Sequence, residues 1–179
     1  VVARGAKIIA EGTKTQPIIF TAEGDDLEGS VNASTKGLWG GVIILGRAPL
    51  NNERNEEHIE GISISEPRGI YGGTINNDNS GILKYVSIRH AGTNIGLNNE
   101  INGLTLGGVG SNTIIEHVEV FASADDGFEF FGGTVNCKYL IAVLCNDDAF
   151  DMDAGYKGKM QYLLGIQEPG YGDKLLEIN

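Results

Sequence analysis

The sequence predicts an all-β solenoid: a parallel β-helix, one elongated domain over residues 1–179, wound in coils of about 22 residues. Three observations predict it. The segment Asp125-Asp126-Gly127-Phe128-Glu129-Phe130-Phe131-Gly132-Gly133 returns as Asp147-Asp148-Ala149-Phe150-Asp151-Met152-Asp153-Ala154-Gly155, an offset of 22 (147 − 125). An apolar template with spacing i, i+3, i+5 occurs four times: Leu83/Val86/Ile88, Ile115/Val118/Val120, Cys137/Leu140/Ala142 and Met160/Leu163/Gly165. Finally, Gly103-Leu104-Thr105-Leu106 matches the strand segments that begin at Gly127 and Ala149. A coil this short has room for two or three strands and tight turns, not for a strand plus a long helix.

The coils can be justified in order. Ala6-Lys7-Ile8-Ile9-Ala10 and Pro17-Ile18-Ile19-Phe20-Thr21 read as two short strands around a Gly12-Thr13 turn. Residues 22–36 are polar and read as a surface loop. Trp39 to Gly46 is a buried strand. Residues 47–58 form a second loop. Ile62 and Ile64 follow Val42 and Ile44 by 20 residues and read as a further coil. Polar residues near 92–101 read as an insertion, which widens one interval to 32 (115 − 83). Dividing length by period gives about seven coils.

In the later coils Leu104, Phe128 and Phe150 should form one interior column, and Leu106, Phe130 and Met152 the next. Thr105, Glu129 and Asp151 should point out. At the end, Leu175 can continue the first column, but Glu177 would then be buried. That misfit implies a fraying end, a slipped register or a bulge.

Glycine is abundant (27 residues) and proline scarce (4), as Gly-rich turns between apolar strands require. The net charge of −11 excludes a basic nucleic-acid groove and a surface that seeks anionic lipid. No apolar run is long enough for a transmembrane helix. The chain starts inside a repeat-like segment and reads as a fragment or processed form of a longer one. Cys137 and Cys145 are eight residues apart, which is not a coil period, so they read as reduced core or turn thiols.

Gly12-Thr13 with Pro17 to Thr21, followed by Trp39-Gly40-Gly41-Val42-Ile43-Ile44, resembles the opening coils of secreted bacterial right-handed parallel β-helices. Asn102 to Leu106, Ile115 to Val120, Asp125 to Val135 and Asp147 to Gly158 resemble surface proteins and lipoproteins of Gram-negative bacteria. The resemblance implies a right-handed, pectate-lyase-like fold and export to the cell surface or the extracellular space. It implies no activity.

The chemistry-bearing feature is acidic. Asp125 should stack on Asp147, Asp126 on Asp148, and Glu129 on Asp151. Like charges about 5 Å apart repel by about 3 kcal/mol per pair at an effective dielectric of 20. A Ca²⁺ ion held by Asp125, Asp126, Asp147 and Asp148 would relieve this. So would Lys157 and Lys159, or a raised pKa on one partner. The alternative is that the aspartates are turn residues accepting backbone N–H bonds.

With Glu129, Asp151 and Lys157 these residues make the candidate ligand-binding face. The leading function is non-catalytic: adhesion, or binding of a polysaccharide or another surface protein. One rival is a polysaccharide lyase or glycoside hydrolase on the same acids. The Gly-His-Gly and Arg-x-Lys segments that the pectinase resemblance asks for are lacking. His90 and His117 read as surface or strand-edge residues. Another rival is a structural subunit that stacks coil on coil. Tyr71, Phe121, Phe131, Tyr156, Tyr162 and Tyr171 are candidate stacking platforms, or corner packing.

Overall fold

The computed structural model describes residues 1–96 and 99–179. In chain order the strands are β1 (Ile8–Glu11), β2 (Ile18–Phe20), β3 (Val42–Leu45), β4 (Glu56–His58), β5 (Ile70–Gly72), β6 (Gly81–Arg89), β7 (Asn94–Gly96), β8 (Asn99–Glu100), β9 (Leu104–Gly107), β10 (Ile114–Phe121), β11 (Phe128–Phe131), β12 (Asn136–Val143), β13 (Phe150–Asp153), β14 (Met160–Ile166) and β15 (Glu177–Ile178). They build two parallel sheets. In the first, β1 and β2 both pair with β6, followed by β10, β12 and β14; the second runs β3, β9, β11, β13, β15. Each coil gives one strand, or a strand pair, to each sheet, as a parallel β-helix requires.

The register is the one the repeats specify. Ile115 pairs with Leu83 and Cys137, and Cys137 with Met160. Phe128 pairs with Leu104 and Phe150. The Phe128 and Phe150 rings stack at 5.3 Å inside a continuous core. Like residues stack because each coil covers the inner face of the one before it.

Among the described residues the second sheet has five strands, which gives five coils and not seven. The missing length lies in excursions. Ile62 and Ile64 do not add a coil: β4 and β5 form an antiparallel hairpin outside the solenoid, with Glu57 opposite Tyr71. Ile64 is 89 % exposed, whereas Ile62 packs on a second apolar cluster of Ile43, Leu45, Leu50, Ile59 and Tyr71. That cluster lies on the outer face of β3, so all four β3 residues are buried. At Gly107 an added Cβ would sit 2.8 Å from the Tyr71 ring, and a side chain there would push the hairpin off the wall.

This cover corrects the reading of Thr105, Glu129 and Asp151. They point away from the interior, yet all three are buried. Strand alternation tells which way a side chain points; it does not tell that a distant segment folds back over it.

The last coil slips register. Asp151 pairs with Glu177 and Met152 with Ile178. Glu177 therefore extends the acidic column instead of entering the core, and Leu176, not Leu175, falls level with Phe150. Leu175, Leu176 and Ile178 remain substantially exposed. The 22–36 loop also folds back: His90 Nδ1 lies 2.6 Å from the Thr35 carbonyl, and Lys36 Nζ donates to Asn146 Oδ1 at 2.5 Å. His90 is thereby buried, not a surface residue.

Candidate functional site

Two features outside the core combine polar chemistry with repetition. The first is the acidic column. Each Asp-Asp pair lies just before a strand of the second sheet, where the backbone turns. Asp126 Oδ1 accepts the Asp148 N–H at 2.8 Å, and Asp148 Oδ1 accepts the Lys174 N–H at 2.6 Å. These two side chains therefore tie each turn to the next, which is the turn role anticipated for them.

The register gathers all six predicted acidic residues. Oxygens of Asp125, Asp126 and Asp147 lie within 4.8 Å of one another, as do those of Asp126, Glu129 and Asp151. Two more groups of the same size are Asp147, Asp148 and Asp173, and Asp148, Asp151 and Glu177. Lys157 is not among them. It follows the C-terminal end of β13, whereas Asp147 and Asp148 precede its N-terminal end, and its N–H donates to the Gly133 carbonyl. The nearby cation is Lys174, whose Nζ lies 3.2 Å from Glu177 Oε1 and also contacts Asp173. It belongs to the slipped last coil, which the repeat did not describe.

Crowding and burial act together on these carboxyls. Burial, then Asp147, pushes Asp125 up to about 7. Burial pushes Asp126 up to about 8. Glu129 rises to about 11, by burial first and then by the charge of Glu60. Asp148 rises to about 6 and Asp151 is raised, in both cases first by burial and then with a contribution from Glu177. Without a cation, the column holds protons at neutral pH.

Glu60 comes from the cover and was not foreseen, because it belongs to no repeat; Asn102 precedes β9 at the position that Asp126 and Asp148 hold in the next two coils. Glu60 hydrogen-bonds Glu129 and Asn102, and the Asn102 amide nitrogen donates to Glu129 Oε2 and to Thr105 Oγ1. Two carboxyls in one hydrogen bond need one proton between them. Burial raises both carboxyls, which keeps that proton in the pair.

The second feature is a four-ring stack on the outer face of the first sheet. Tyr85, His117 and Tyr139 stack at 4.4 Å spacings with planes 7° and 6° apart. Tyr162 continues the stack at 4.8 Å and 12°. All four residues have φ between 50° and 64°. Each is the i+2 residue of the apolar template. The i to i+3 step contains one residue more than an alternating strand allows, and a left-handed residue absorbs it. The kink turns the rings outward beside the next outward row, Ser87, Glu119, Ile141 and Leu164.

Between these rows lies a groove of about 570 Å³, with Val86, Val118 and Leu140 as its floor. A polar cluster sits at its side: Ser87 Oγ donates to Glu119 Oε2 at 2.6 Å, Arg89 Nε donates to Ser87 Oγ at 2.9 Å, and the Arg89 guanidinium lies 4.0 Å from Glu119. His117 is thus a half-buried residue of the outer face of β10, as read from the sequence, and also a member of a ring stack.

Of the anticipated platforms, Tyr162 joins this stack. Tyr71 is buried against Phe131, and Phe121 packs on His90. Tyr156 packs on Phe130 and donates its hydroxyl to the Val135 carbonyl at 2.7 Å. Tyr171 is exposed, with Lys36 5.3 Å from its ring centre. The three other members of the stack were legible as the residues two after Leu83, Ile115 and Cys137.

Neither thiol has the character of a nucleophile. Cys137 and Cys145 are both buried and unbridged, and burial pushes both up, Cys145 to about 12. Among the described residues, no helix is long and apolar enough to cross a membrane.

No curated protein and no solved structure matches the chain. One family model does, over residues 1–177, and its description agrees with the parallel coils, the stacked interior and the two-sheet register. The chain belongs to the family of pectate-lyase-like beta helix domains.

Proposed function

We propose that this β-helix is a non-catalytic binding module of an exported, cell-surface protein, and that it holds a polysaccharide along the groove beside Tyr85, His117, Tyr139 and Tyr162. The ring stack carries this reading. It runs along the solenoid axis, crosses four coils at 4.4–4.8 Å spacings, and presents a repeated edge to a repeating polymer. Sugars offer apolar C–H faces and hydroxyls together. The groove offers an apolar floor on one hand, and Ser87, Arg89 and Glu119 on the other.

The acidic column is less suited to be the binding face. Its central members are covered by the 47–73 segment and bonded within the fold. The same burial disfavours the rival lyase or hydrolase reading, in which both acids must reach a sugar ring.

A panel of neutral and acidic oligosaccharides, followed by calorimetry and by detection of released sugar, tests the reading. Saturable binding without cleavage is expected, lost in Tyr139→Ala and kept in Asp147→Asn. Release of shortened or unsaturated sugars would establish the enzyme instead. Binding that survives both Tyr139→Ala and Tyr162→Ala would remove the groove from the account.

A further inference from the structure

We propose a second, independent site: a hard divalent cation of the calcium class bound by Asp126, Glu129, Asp151 and Asn102, between the wall of the solenoid and its cover. Three observations converge on these residues. Asp126, Glu129 and Asp151 each bring a carboxylate oxygen within 4.8 Å of the others, and each residue is only 8 % exposed. Asn102 is 1 % exposed and rests its amide against Glu129, yet its Oδ1 has no hydrogen-bond donor among the described residues. Asp151 Oδ1 likewise has none.

A buried acceptor without a donor is costly, and more so when charged, so a fold rarely keeps one without a use. Both oxygens have unused lone pairs. A cation can take lone pairs from both oxygens and from the neighbouring carboxylates at once.

The donor set fixes the class of ion. Every candidate ligand is an oxygen, from three carboxylates and one amide, which suits Ca²⁺ or Mg²⁺ and not a thiolate- or imidazole-seeking metal. The ligands come from three successive coils, Asn102 just before β9, Asp126 and Glu129 in the coil of β11, and Asp151 in β13, so they are spaced by strand register and not by a flexible loop. Glu60 provides the way in. It is exposed, contacts Glu129 and Asn102, and lines the open pocket shared with Glu57, Tyr71, Phe131 and Asp153. This places the ion further inward than the Asp125, Asp126, Asp147 and Asp148 set expected from the sequence. In that set Asp126 and Asp148 each already spend an oxygen on a backbone N–H, and Asp147 faces solvent.

The test is titration of chelator-treated whole protein with calcium and, separately, magnesium, read by calorimetry and by thermal melting. One ion per chain is expected, with a midpoint that rises with ion concentration by mass action. Glu129→Gln and Asp151→Asn, both neutral and nearly isosteric, are each expected to weaken binding at least about tenfold; loss of an outer-shell partner alone costs about 10–100-fold. Asp147→Asn is the control and keeps the parental affinity. If Glu129→Gln does not fold, Asp151→Asn carries the comparison. No heat and no shift with millimolar ion would overturn the proposal. So would full affinity in both Glu129→Gln and Asp151→Asn, or loss confined to Asp147→Asn. None of these outcomes bears on the groove, whose ligand is tested separately.

Discussion

Raising the pH through neutrality destabilises the cation-free protein, and Asp126 accounts for a definable share. Its carboxyl is buried and faces Asp125, Asp147, Asp151, Glu129 and the Cys145 thiol. Burial raises it from 3.8 to about 8. Between those values the folded state keeps a proton that the unfolded state has released. Stability therefore falls as pH rises, by about 1.4 kcal/mol per pH unit for one such group. The contribution is whole below the unfolded value and gone above about 8. For 179 residues, about 1 kcal/mol moves the midpoint about 2–4 °C, so Asp126 alone should cost about 3–6 °C per pH unit. Asp126→Asn keeps the Oδ1 that accepts the Asp148 N–H and removes the titration. Calorimetric melting in chelator across about pH 5 to 7 reads both proteins. The variant should show a shallower slope by about that amount. A parental midpoint that is flat or climbs with pH, or a variant with the parental slope, refutes the reasoning.

Other perturbations report on other parts of the fold. Phe128→Ala empties the centre of a fully buried column and should cost about 3–5 kcal/mol in denaturant unfolding. Gly127→Ala places a Cβ 2.7 Å from the Ala149 carbonyl oxygen and 2.9 Å from Ala142 Cβ, so about 1–3 kcal/mol should be lost. At Tyr139, with φ of 57°, removal of the ring should be better tolerated as glycine than as alanine, by about 1 kcal/mol, because alanine keeps the left-handed strain. Equal stability of the two Tyr139 variants would mean that the kink relaxes when the ring is gone.

The winding was legible because burial repeats. A column such as Leu104, Phe128 and Phe150 needs the same kind of residue at the same place in each coil, and the sequence carries that need as a period. The aromatic stack was not anticipated, although its signal repeats too, in the extra residue between Leu83 and Val86 and its counterparts. The rest of what stayed hidden does not repeat. The segment between β4 and β5 carries Ile62 and Ile64 at strand spacing, and alternation alone cannot separate a strand inside the solenoid from an excursion laid over it. Glu60 meets Glu129 only through that overlay. Glu129 therefore looks like a solvent-facing acid in its own coil, although it is among the most enclosed carboxyls in the molecule. The slipped last coil hid Lys174 in the same way, since its partner register follows from packing and not from the 22-residue count.

The excursion between β3 and β6 also decides how the molecule comes apart. A stack of coils that touch only their neighbours can unravel from either end, one layer at a time. Here Arg4 pairs with Glu56, the Gly133 N–H reaches the Pro49 carbonyl, and the Asn51 N–H reaches the Ala154 carbonyl. One strap thus binds the first, third and fourth layers across the body of the spiral. Those layers should melt in a single step, with slow amide exchange throughout. The fifth layer lies outside the strap and should open first.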